Sequence, residues 1–207
     1  MLNGQSIQRW RRSASLGAAL ASLLFCAGVT RSEDSIDEHA GHRAAAASAI
    51  RIEHANYDVP DVVLENERGE PVALGRLLTT DQPVVVNFIF TSCTSICPVM
   101  TATMLQLQHK LSGSQPAPRF VSISIDPDFD NAAVLRRYAD RYQADWTFLT
   151  GKREVVLRVL QAFDAWRGNK GNHVAITLFR RAGGEWTRIE GLSSAGELAD
   201  LWKQGGR

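Results

Sequence analysis

The chain has 207 residues, 44% hydrophobic and 22% charged. That is an ordinary globular composition, long enough for a core without disulfide staples. The 23 Lys and Arg nearly balance the 22 Asp and Glu, for a net charge of +1, which excludes a strongly basic nucleic-acid binder. The three cysteines are too few for a disulfide scaffold or a four-thiolate metal site.

The chain opens on Arg9, Arg11 and Arg12, followed by an apolar run from Leu16 to Val29. The run is shorter than the roughly 20 residues that span a bilayer. With its basic start it reads as a signal peptide over residues 1–30, an uncleaved membrane anchor through residues 16–29 being the alternative. Bulky Phe25 argues against a lipoprotein reading of Cys26. Loss of residues 1–30 leaves 20 basic against 22 acidic residues, a net of −2, with two cysteines in an oxidising compartment.

Residues 31–56 read as a flexible linker, first acidic (Glu33, Asp34, Asp37, Glu38), then Ala-rich. Its histidines, His39, His42 and His54, read as solvated. A domain follows over residues 57–207. Val62–Leu64, a turn at Glu67–Glu70 and Val72–Leu74 predict a hairpin. Val84–Phe90 is the continuous β-branched and aromatic run of a strand buried on both faces. A helix is expected over Pro98–Leu111, a strand over Phe120–Ile125, and helices over Asn131–Tyr142 (capped by Asp130) and Glu154–Phe163. A strand over Val174–Phe179, a turn at Ala182–Gly184, a partner strand over Trp186–Ile189 and a helix over Ser194–Lys203 close the chain. The order predicts an α/β, thioredoxin-like fold: a central mixed sheet flanked by helices, plus an N-terminal hairpin.

In open α/β sheets the functional end lies beyond the carboxyl ends of the strands. Here that point is Thr91-Ser92-Cys93-Thr94-Ser95-Ile96-Cys97-Pro98. Pro98 suits a first helical position, which puts Cys97 at the cap and Cys93 in the loop. A helix N-terminus lowers a nearby thiol's pKa, so both sulfurs are expected as thiolates. Such a pair can bind a soft metal, exchange disulfides, or form a structural disulfide. Its three intervening residues exceed the two of thioredoxin-type dithiols and leave room for an ion. Where such enzymes carry a cis-proline opposite the cysteines, this chain reads Gly171-Asn172-His173-Val174. Two thiolates and an imidazole suit Cu(I) and tolerate Cu(II), while zinc also accepts such a set.

These residues resemble the Sco/SenC family. The resemblance spans residues 57–203. It rests on Phe90–Pro98, on Ser122-Ile123-Ser124-Ile125-Asp126-Pro127 with Asp130, on Ala144–Gly151, and on His173 before a strand. It implies one copper ion bound by Cys93, Cys97 and His173. It also implies delivery of copper to the copper-bearing subunit of cytochrome c oxidase, or reduction of that client's cysteines, in the periplasm or at a membrane's outer face. The family usually has Asp before the copper histidine and a small hydroxyl residue after it, where this chain has Asn172 and Val174. The Thr94-Ser95-Ile96 loop lacks the acid that many relatives carry. These departures leave two clients open, the oxidase subunit or another periplasmic copper protein.

Other residues near the site read as secondary. Met100 and Met104 suit Cu(I) but are better explained as core. His109 is expected at the surface. Asp126 either tunes a thiol or forms a turn with Pro127. Arg136, Arg137, Lys152 and Arg153 fit solvated helix faces. The leading reading is a copper metallochaperone in which Cys93, Cys97 and His173 hold the metal. A thiol–disulfide oxidoreductase with Cys93 and Cys97 as its redox pair is the runner-up. A peroxidase lacks a convincing Arg and Thr arrangement.

Overall fold

The computed structural model describes residues 50–181 and 184–205. The signal or anchor segment, Cys26, His39, His42 and part of the Ala182–Gly184 turn lie outside them. Strands are β1 Arg51–Ala55, β2 Val63–Asn66, β3 Pro71–Ala73, β4 Val84–Ile89, β5 Arg119–Ser124, β6 Thr147–Thr150, β7 Ile176–Arg180 and β8 Trp186–Glu190. Helices are α1 Leu74–Leu78, α2 Ile96–Leu111, α3 Ala132–Tyr142, α4 Arg153–Ala162 and α5 Ala195–Gln204, with a 3-10 turn at Lys170–Asn172. None of the described helices is long and apolar enough to cross a membrane.

One sheet holds all eight strands in the order β1-β8-β7-β4-β5-β6-β2-β3. The pairs β4–β5 and β5–β6 are parallel. The pair β4–β7 and the outer pairs are antiparallel. Every β4 side chain is buried, as a central strand covered on both faces requires. Alternation divides them between two cores. Val84, Val86 and Phe88 pack with Leu74, Leu78, Val156, Leu160 and Phe163, whereas Val85 and Ile89 pack with Met104, Leu107, Leu135, Leu198 and Trp202. Polar side chains cross the sheet in one chain: Trp146 Nε1 donates to Ser122 Oγ at 2.9 Å, and Ser122 Oγ donates to Asn87 Oδ1 at 2.7 Å.

Several expectations need correction. The final residues of the expected linker form β1, antiparallel to β8 from Arg51↔Glu190 to Ala55↔Trp186. Its first four side chains are exposed, so backbone pairing holds it rather than burial. β8 therefore lies between β1 and β7 in the sheet. The short elements α1 and β6 were not anticipated. Asp130 does not cap α3; Asn131 does, accepting from the Val134 amide at 3.0 Å. α2 begins at Ile96 with Ser95 in the cap position, which moves Pro98 to the third helical residue. Proline is tolerated there because the first four amides have no helical acceptor. At the C-terminus, Ser194 and Glu197 form the expected reciprocal capping box.

Candidate functional site

β4 leads through Phe90 into the loop Thr91–Ser95 and then α2. Cys97 lies in the first helical turn, where its amide has no helical acceptor. That amide points at Cys93 Sγ, 3.4 Å away, and Ser95 Oγ lies 3.6 Å from the same sulfur. Both cysteines are free thiols. Cys93 is 9% exposed and Cys97 fully buried.

The expectation of two equivalent thiolates is corrected. Burial alone would raise the Cys93 thiol, but backbone hydrogen bonds from Cys97 and Ser95 and the Ser95 hydroxyl outweigh it and shift it downward. Burial pushes the Cys97 thiol far up. A backbone hydrogen bond from Phe90 opposes the rise, while Cys93 and the charge of Asp130 add to it. The pair therefore consists of an ionisable outer thiol over a protonated inner one.

His173 follows the 3-10 turn in extended conformation (φ −61°, ψ 133°). Its Nε2 lies 3.0 Å from the Phe88 carbonyl oxygen, so Nε2–H donates and Nδ1 keeps a lone pair. That Nδ1 is buried and has no hydrogen-bond partner. Burial depresses the imidazole pKa to about 4, with the Phe88 bond opposing. The ring meets Phe90 edge-on at 5.9 Å.

Cys93 and His173 line one cleft of about 280 Å³, together with Phe90, Ile96 and Lys170. Cys97 is buried and is not among the residues that line it. Among the described residues, no three His, Cys, Asp or Glu side chains are gathered as a ready metal cage. The donor set still fits a soft ion: two sulfurs, and an imidazole nitrogen buried without a partner.

The secondary candidates separate. Met100 and Met104 are buried, the latter within the core formed by α2, α3 and α5. His109 and His54 are exposed. The Asp126 carboxylate bonds Lys170 Nζ at 2.5 Å, and its backbone carbonyl accepts from the Phe129 and Asp130 amides, closing the turn. Arg136 pairs with Asp140 and Arg153 with Asp128 on exposed surface.

Sequence reasoning missed Lys170, which lines the cleft and lies 5.8 Å over the Phe90 ring. It also missed the carboxylate that faces the cysteine loop, that of Asp130. The only signal for Asp130 was its place in the quoted motif.

A mixed sheet with two thiols at the start of the helix after a parallel strand defines a thioredoxin-like domain. Residues 57–180 match the SCO1/SenC family model; the chain belongs to that family. The SCO1 protein homolog of Bacillus subtilis is 36% identical over 115 residues, 53% of this chain and 58% of the relative. The mitochondrial SCO1 homolog of Homo sapiens is 30% identical over 84 residues, 40% of this chain and 28% of the relative. The chain thus spans little more than half the length of the first of these curated relatives, and less of the second. The solved structure of BsSco is described as a member of the Sco family of cytochrome c oxidase assembly proteins with a disulfide switch. It matches with a TM-score of 0.61 at 27% identity, over 73% of this chain and 95% of that one. Bradyrhizobium japonicum ScoI, solved with copper bound, matches in fold with a TM-score of 0.59 at 18% identity, over 72% of this chain and 99% of that one.

Proposed function

We propose that the domain is a copper metallochaperone whose cargo is held by Cys93, Cys97 and His173. One observation carries the reading: His173, whose buried Nδ1 has no hydrogen-bond partner, lines the same cleft as Cys93. A buried nitrogen lone pair without a donor costs free energy, and a cation would satisfy it. Family membership supports the choice of copper, since a relative was solved with copper bound. Thiolates select Cu(I), and the imidazole extends the set to Cu(II).

Each side chain has a distinct part. Cys93, already shifted toward thiolate, is the entry ligand. Cys97 must lose its proton as it binds, so loading releases a proton and strengthens with pH. The Phe88 carbonyl fixes the histidine tautomer, leaving Nδ1 as the donor. The three side chains must draw together from their positions in the free protein. The client is the copper-bearing subunit of cytochrome c oxidase or another periplasmic copper protein. The domain would work in the periplasm, exported or anchored through residues 1–30, which cell fractionation of tagged full-length chain tests.

Titration of the reduced protein with Cu(I) and Cu(II) tests the site. Wild type should bind one copper and show a thiolate-to-copper absorption band with Cu(II). Cys93→Ser should lose the band, and His173→Ala should weaken binding and change the spectrum. Identical titrations of wild type and His173→Ala would remove His173 from the site.

The asymmetry of the thiols favours a second reading, that the pair reduces a client's copper-ligand cysteines. The Cys93 thiolate would attack a client disulfide and form a mixed disulfide, releasing one client thiolate. Cys97, losing its proton, would then attack Cys93 Sγ and release the second client thiol. Two electrons leave this chain as its own disulfide forms. A Cys93–Cys97 reduction potential below about −300 mV would describe an inert structural bond and sink this reading.

A further inference from the structure

Asp130 is fully buried, and its carboxylate does not serve its own helix, whose cap is Asn131. It turns back toward the cysteine loop, 39 residues upstream. Oδ2 accepts from the Thr91 amide at 3.1 Å, and Oδ1 accepts from the same amide at 3.3 Å and from Thr91 Oγ1 at 2.5 Å. Ser124 Oγ, at the end of β5, donates to Oδ2 at 2.6 Å. A buried carboxylate is tolerated only when donors surround it. Here both donors of one residue, Thr91, converge on it.

Thr91 is the first residue of the loop that carries Cys93. The loop's far end is already fixed by α2. Its near end has one internal tie, from the Cys93 amide to the Phe90 carbonyl at 3.2 Å. We propose that Asp130 is the positioning residue of the thiol pair. By gripping Thr91 through both donors it holds the loop base, so that Cys93 Sγ faces the Cys97 amide while Cys97 stays buried. Without the grip, the loop can rotate about Phe90–Thr91. Cys93 then loses its amide contact and Cys97 gains access to solvent. This deepens the copper-binding reading, but rests on it only for the second readout below.

The test uses the reduced full-length chain and the variants Asp130→Asn, Thr91→Val and Thr91→Ser. Thr91→Val removes only the side-chain donor; Thr91→Ser keeps both donors and serves as the rescue. The first readout is iodoacetamide alkylation, resolved by mass spectrometry into Cys93 and Cys97. The second is the Cu(II) thiolate band. Circular dichroism confirms that each variant is folded. Thr91→Val should lower the Cys93-to-Cys97 alkylation ratio by at least about fivefold, with Asp130→Asn lowering it further and Thr91→Ser matching wild type. The copper band should shift or weaken in the same order. A ratio within about twofold of wild type in folded Thr91→Val overturns the proposal, whether or not Asp130→Asn folds. A wild-type chain that binds no copper but whose variants change the ratio would sink the copper reading and leave the positioning role standing.

Discussion

The His173 imidazole is tied to the Phe88 carbonyl oxygen at 3.0 Å through Nε2, and its other nitrogen is buried without a partner. The bond joins the turn after Lys170–Asn172 to the central strand. The folded-state pKa, about 4, lies below the ordinary histidine value of 6.5. Between those values the unfolded chain takes up a proton that the folded chain refuses. Stability is therefore full above pH 6.5, falls as pH drops toward 4, and has lost its His173 contribution below that. The loss is about 3 kcal/mol, since each unit represents ~1.4 kcal/mol. Urea melts of metal-free protein at pH 7.0, 5.5 and 4.5 check this. His173→Gln should flatten the decline, and an equal decline in both proteins would assign it elsewhere.

Ser122 is the middle of a buried chain, accepting from Trp146 and donating to Asn87. Ser122→Ala leaves the indole N–H and the Asn87 carbonyl oxygen without partners. Each buried orphan costs ~1–3 kcal/mol, so the variant should lose about 2–4 kcal/mol. Trp146→Phe removes the donor as well as the ring's larger area. Combined with Ser122→Ala it should cost less than the sum of the two single changes. Strict additivity in denaturant melts would show that the chain is not coupled.

Arg188 is 3% exposed. Its guanidinium donates to the Phe163 carbonyl at 3.0 Å, the Asp164 carbonyl at 3.2 Å and Glu190 Oε2 at 2.7 Å. It therefore anchors the chain leaving α4, the segment that runs on to His173. Arg188→Met should cost about 3 kcal/mol, because acceptors stay buried without donors. Arg188→Lys should recover only part, since a point charge cannot reach several acceptors in a fixed fork. Amide exchange should rise over residues 163–173 in Arg188→Met. Unchanged exchange there would confine the effect of Arg188 to β8.

The sequence carried the central strands and long helices because their signals are local and strong. Val84–Phe90 is too apolar for anything but a covered strand, and α3 and α4 have clear apolar stripes. The thiols and His173 were legible for a different reason: strand order alone puts both segments at one end of the sheet. What stayed hidden depends on the folded environment. Cys93 and Cys97 look alike in sequence, and only burial, the donors of Cys97 and Ser95 around the Cys93 sulfur, and the Asp130 charge set them apart. Asp130 reads as a cap because Asp is a good capping residue and the next residue, Asn131, competes for the same work. Lys170 enters the cleft because the 3-10 turn places it there, and a Lys-Gly-Asn string carries no such signal.

β1 was hidden too, because Arg51-Ile52-Glu53-His54-Ala55 buries almost nothing and so shows no apolar alternation. Its hold on the domain is main-chain pairing with β8 and the Arg51–Glu190 ion pair at 2.7 Å. A chain that begins at Tyr57 would lose both and leave β8 as a bare edge. Net main-chain hydrogen bonds contribute ~0.5–1.5 kcal/mol each, and an exposed ion pair adds at most about 1 kcal/mol. Ordering five residues costs much of that back, so the net loss should be about 1–3 kcal/mol. The larger effect is on solubility, because an unpaired edge is a template for pairing with another chain. Light scattering of the 57–207 fragment should rise with concentration where a 50–207 fragment stays monomeric. Arg51→Ala in the longer fragment, which removes the ion pair and keeps the strand, should lower stability by less than the truncation does. A truncated fragment with the same urea midpoint and the same scattering as the longer one would make β1 a passive overhang.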